Sequence, residues 1–177
     1  MHYRAPQPGL DRMEPVPGHP LVVGYFPKQP DIVLLTAAEW ADALGVELYV
    51  AYADEARVAV EEFQDGTVRH APVDPDLDED CDTRERRMVQ AVSEVLNDRA
   101  LGWEFRYLAG RPDRALTHLA RTVDASAIII GDSRPGAGRR WHTFVDGSVA
   151  SNLTRHQHRP VLVVPLTVVD WKDSTSW

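Results

Sequence analysis

The sequence has one cysteine, Cys81, so no disulfide can close within the chain, and such usage suits a reducing cytoplasm. It has no apolar run near the roughly 20 residues that a bilayer-crossing helix requires. The opening residues, MHYRAPQPGLDRMEPVPGHP, carry prolines where a secretory signal would carry an apolar core. Basic charge is also short: 19 Lys and Arg stand against 27 Asp and Glu, for a net charge of −8. A field of that sign repels nucleic acid, so neither DNA nor RNA is an expected partner, and neither is a membrane. Catalytic signatures are missing as well. There is no Gly-x-Ser-x-Gly elbow and no P-loop Lys-Ser/Thr, and Gly131-Asp132-Ser133 presents no nucleophile beside a base. The expectation is a soluble, cytoplasmic protein that is not an enzyme.

What is present is one domain's worth of alternating elements, 177 residues with 44% hydrophobic content. Residues 1–19 read as an extended proline-rich arm, residues 20–166 as the domain and residues 167–177 as a tail without period. Leu21-Val22-Val23-Gly24-Tyr25 is a continuous apolar run, as in a strand covered on both faces. A helical face follows from Asp31, with Val33, Ala37, Ala41 and Leu44 in line and Gly45 as the stop. VELYVAY, residues 46–52, is a second strand. Asp65-Gly66 between two valine-containing runs then predicts a β-hairpin inserted at residues 57–73.

Asp82 and Glu85 fit a capping box for the next helix, which places Val89, Val92 and Leu96 on one face. Trp103, Phe105 and Tyr107 alternate with Glu104 and Arg106, the pattern of a half-exposed edge strand. Leu116, Leu119, Ala120 and Val123 mark another helix, and Ala127-Ile128-Ile129-Ile130 a buried strand. A helix over residues 147–156 and a strand at Val161-Leu162-Val163-Val164 complete the series. Strands alternating with helices imply a parallel α/β sheet with right-handed crossovers and helices on both faces. Ligands of such sheets sit beyond the strand carboxyl ends, where the strand order switches. The glycine-rich stretch GDSRPGAGRRWHTFVDGS, residues 131–148, leaves the fourth parallel strand at that end. The unsatisfied N–H groups of Gly147, Ser148 and Val149 at a helix start could hold an anion.

Two other clusters are weaker. Asp74, Asp76, Asp78 and Glu85 imitate calcium-loop spacing, but Glu79 stands where that loop needs glycine, so a solvated segment is the better reading. His156 and His158 alternate at a helix end, a spacing that points their rings apart, and they make no metal site.

The stretches GSVASNLTRHQHRPVLVVP (residues 147–165) and LAGRPDRALTHLARTVDASAIIIGDSR (residues 108–134) resemble the universal stress protein family, and the likeness runs over residues 21–165. That resemblance implies a flavodoxin-like sheet of five parallel strands in the order 3-2-1-4-5. It also implies a homodimer, often formed through the last strand, Val161–Val164. ATP-binding members follow Gly-x2-Gly-x9-Gly-Ser/Thr and carry an Asp after the first strand that contacts adenine. Gly131, Gly147 and Ser148 match the ends of that pattern, while Arg134 takes the place of the middle glycine and the loop is three residues longer. Gly136 and Gly138 are the glycines a longer loop would use, and Phe26 takes the place of the Asp. The resemblance therefore implies a homodimeric stress-response module of the non-ATP type, acting on an unknown protein partner. The alternative is an adenine-nucleotide switch, with ATP held by the 131–148 loop.

Overall fold

The computed structural model describes residues 9–63, 67–74, 81–132 and 148–166. Five parallel strands form the main sheet: β1 (Leu21–Gly24), β2 (Leu48–Asp54), β5 (Trp103–Ala109), β6 (Ala127–Gly131) and β7 (Val161–Val164). Their order is β5-β2-β1-β6-β7, which is 3-2-1-4-5 when only the parallel strands are counted. The α/β, flavodoxin-like expectation holds. Between β2 and the next helix, β3 (Arg57–Glu62) and β4 (Val68–Pro72) pair antiparallel as a separate ribbon. The hairpin is therefore where the sequence puts it, with a register shift between Ala59 and Glu61. Its Asp65-Gly66 turn lies outside the described residues.

Four helices cover the sheet, α1 (Ile32–Leu44) and α2 (Cys81–Leu96) on one face and α3 (Pro112–Thr122) and α4 (Ser148–His156) on the other. Alternation along β1 serves both layers: Val23 packs with Val33, Leu34 and Ala37, whereas Val22 packs with Leu116, Leu119 and Leu153. All four residues of β1 are buried for that reason. Gly45 closes α1 in the left-handed region at φ 64°, its N–H reaching the carbonyls of Ala41 and Asp42.

Three local readings change. The buried row of α2 is Met88, Val92 and Leu96, and Val89 is only half-buried. Both rows are legal helix faces, and the one spaced by four residues meets α1 and the sheet. Asp82 lies one residue inside the start of α2, in its first turn, where its charge favours the helix dipole. The edge strand β5 is half-exposed over its first three residues and at Ala109. Arg106, Tyr107 and Leu108 between them are buried, the inserted ribbon packing against the strand and Leu108 joining Leu116 and Leu119 of α3 in the core.

Candidate functional site

The chain leaves β1 towards α1 and leaves β6 towards α4, so adjacent strands diverge to opposite faces. That divergence makes a crevice at the carboxyl ends of β1 and β6, the switch point of the sheet. After β1 comes a tight turn in which the Gln29 N–H donates to the Phe26 carbonyl at 3.2 Å, with Pro27 and Lys28 at its centre. Lys28 takes φ 66°, the position a type II turn usually gives to glycine. Phe26 is half-buried beside this turn.

Gln29 is 5% exposed, and among the described residues neither its amide nitrogen nor its amide oxygen has a hydrogen-bond partner. A buried amide without partners costs about 1–3 kcal/mol. No sequence pattern marked this residue; a Gln flanked by two prolines looks like ordinary loop.

The other predicted site residues are distributed as follows. Gly131 ends β6 opposite Val164, and the Asp132 N–H donates to the Val164 carbonyl at 2.6 Å. A Cβ on Gly131 would lie 3.0 Å from Val33 Cγ2 and 3.1 Å from Leu166 Cδ1. Close packing between α1 and the segment after β7 thus already explains this glycine. Ser148 is the first residue of α4, so its backbone N–H is one of those that find no partner within the helix. Val149 is a core residue, 5% exposed among Val22, Ile128, Ile130 and Leu153. Gly136, Gly138 and Gly147 lie outside the described residues, as do Asp76 and Asp78 of the acidic segment. His156 and His158 do not meet: His156 Nδ1 is 3.0 Å from the Asn152 carbonyl, whereas His158 Nε2 is 2.7 Å from Glu14 Oε1.

A second polar cluster, unmarked in the sequence reading, lies at the carboxyl end of β2. Asp54 is 4% exposed and uses both carboxylate oxygens. Oδ2 accepts from Tyr107 Oη at 2.5 Å and from an Arg84 guanidinium N–H at 2.8 Å, while Oδ1 accepts from the Ala56 N–H at 3.0 Å. Burial and the neighbouring carboxylate push the Tyr107 hydroxyl far above the ordinary tyrosine range, so it stays a donor. Next to it, Arg57 Nε donates to His70 Nδ1 at 2.9 Å, and the His70 ring lies against Tyr107 with centroids 4.9 Å apart. The signal available in the sequence was Asp54 itself, an acid at the end of an apolar strand.

The model of the universal stress protein family matches residues 19–165, nearly the whole described domain. The chain belongs to the universal stress protein family. Among solved structures, it is similar to the universal stress protein from Archaeoglobus fulgidus, at 21% identity over 84% of this chain and 94% of that one, TM-score 0.59. A structure of the Archaeoglobus protein in complex with dAMP shares 24% identity over 82% of this chain and 97% of that one, TM-score 0.56. A universal stress protein in complex with cAMP shares 20% identity over 85% and 99% of the two chains, TM-score 0.55. These likenesses establish the fold. No curated protein matches the sequence. Among the described residues, no helix of this family member is long and apolar enough to cross a membrane.

Proposed function

We propose that this chain is a non-catalytic, cytoplasmic universal stress protein that acts as a homodimeric regulatory module on a protein partner. The outer edge of β7 carries the reading. Among the described residues β7 hydrogen-bonds to β6 on one side only; it is four residues long and purely aliphatic, and Val163 is 38% exposed. An unpaired apolar edge invites association unless it is covered, and a two-fold contact between copies covers it while closing the assembly. Phe26 and the packed Cβ position at Gly131 support action without ATP: the first offers a ring where nucleotide-binding relatives offer a carboxylate, and the second is filled by the protein's own Val33 and Leu166.

Light scattering on a size-exclusion column tests the dimer. The expected result is twice the chain mass at micromolar concentration, reduced to one chain mass by Val163→Asp, which sets two carboxylates against each other in a two-fold contact. A wild-type monomer defeats the reading.

One observation favours a second reading, an adenine-nucleotide switch. The buried amide of Gln29, at the switch point and without a partner among the described residues, has the donor and acceptor that a base edge requires, and relatives were solved with dAMP and cAMP. Calorimetric titration of nucleotide-stripped protein with Mg·ATP and with AMP decides between them. Saturable micromolar heat that Gln29→Leu abolishes installs the switch; no heat up to millimolar nucleotide leaves the interaction module.

A further inference from the structure

The inserted hairpin lies against β5, with the His70 ring of β4 on Tyr107, and its own two strands are joined by the bond from Arg57 of β3 to His70. We propose that His70 is a proton-sensitive latch: neutral, it holds β3 to β4 and the closed hairpin against Tyr107, and protonated, it opens the hairpin while the sheet stays folded.

The geometry dictates the protonation state. Arginine has only donors, so the bond from Arg57 Nε to His70 Nδ1 requires a bare Nδ1, that is, a neutral ring with its proton on Nε2. Arg57 is 9% exposed, so its charge cannot retreat far into water. Adding a proton to Nδ1 therefore does two things at once. It removes the acceptor, and it places a second cation 2.9 Å from the first.

Groups on every neighbouring element face the ring. Arg57 of β3 opposes protonation; Asp54 of β2 and Asp82 of α2 favour it; Tyr107 of β5 stays neutral. Burial is the largest effect, and with Arg57 it holds the imidazole below its ordinary value of 6.5. Asp54 favours the imidazolium only through its charge, because its oxygens already accept from Tyr107, Arg84 and the Ala56 N–H, and burial with Arg57 outweighs it. Arg84 is itself held on Asp54.

The sign follows. A histidine whose pKa is lowered in the latched state binds fewer protons there than in the released state. The latch's contribution is therefore fully present well above pH 6.5 and is lost as pH falls from 6.5 towards the lowered value of the latched ring, by at most about tenfold per pH unit for one proton, with no further loss below it. Release can be local. β3 and β4 hydrogen-bond to each other and form their own two-stranded sheet, so freeing them breaks no strand pairing of the main sheet.

Hydrogen-exchange mass spectrometry on the full chain between pH 7.5 and 5, corrected for intrinsic exchange, reads this directly. Amide protection over residues 57–73 should fall as pH drops below about 6.5, by at most about tenfold per pH unit, and level off once the latched ring itself is protonated, while peptides covering β1 and β6 keep theirs. His70→Gln, whose amide oxygen accepts from Arg57 but does not titrate, should show a flat hairpin profile. Three results would overturn the latch: constant wild-type protection across that range, an unchanged pH dependence in His70→Gln, or hairpin and core losing protection together.

Discussion

The two edges of the sheet are finished in opposite ways. At the β5 edge, an insertion closes over the strand and a carboxylate with 6% side-chain exposure, Asp54, ties β2, β5 and α2 together. At the β7 edge the strand is short and aliphatic, and the tie comes from the amino-terminal arm. Glu14, with 19% side-chain exposure, pairs there with His158 and Arg159 immediately before β7. Arg159 is the buried partner: its side chain is 5% exposed, and Nε also donates to the Ala125 carbonyl at 2.6 Å. The pairs look alike on paper, acid to base in both cases. Their worth differs because water competes with one acid and scarcely with the other. One edge is covered by the inserted hairpin; at the other, among the described residues, the arm's ion pairs hold the entry to β7.

That contrast yields graded predictions. Asp54→Ala removes the shared acceptor of Tyr107, Arg84 and the Ala56 N–H, and should cost about 3 kcal/mol in urea unfolding. A loss below about 1 kcal/mol would mean that the hairpin-covered edge is no stronger than the β7 edge. Tyr107→Phe keeps the ring against His70 and deletes one bond to a charged group, so a loss of about 2 kcal/mol is expected in the same assay. Gly131→Ala pushes a methyl against Val33 and Leu166 for a cost of about 1–2 kcal/mol, since overpacking of this kind is felt throughout a dense core. If nucleotide affinity changed in that variant while stability did not, Gly131 would belong to a ligand and not to packing.

Glu14→Gln should be the smallest, less than about 1 kcal/mol at neutral pH. The hydrogen bond from His158 is the main cause of a Glu14 carboxyl held below its ordinary 4.5, with the Arg159 charge adding to it against some burial. A lowered carboxyl pKa means a contribution present above 4.5 and lost as pH falls through the folded value. The variant's stability curve should therefore converge on wild type in acid; curves that stay parallel would show that the pair does not sense protons.

The parallel strands and their helices were legible because each carries its own period. β1 and β6 are unbroken apolar runs, and Gly45 stops a helix at the residue where its φ turns positive. Even there, phase slipped by one position in α2, since Met88 and Val89 are both apolar and only the neighbouring helix chooses between them. The candidate site was half-legible. Gly131 and Ser148 stand at the ends of β6 and the start of α4 as the pattern requires, yet one is explained by packing and Val149 by the core. Gln29 carried no local signal, because an unsatisfied amide is a property of its surroundings.

Composition, periodicity and turn residues by themselves determined the alternation of strands and helices and the inserted hairpin, while the stretches at residues 108–134 and 147–165 carried the resemblance to the family. Those features are encoded within a few residues of one another, where the chain's own geometry decides which side faces inward. Only the tertiary structure decided that Asp54 meets Arg84 thirty residues on and Tyr107 fifty-three residues on, and that His70 lands on Tyr107 with Arg57 at its bare nitrogen. Such meetings depend on strand order and crossover, and no local period records which polar groups will share a dry corner once the sheet has closed.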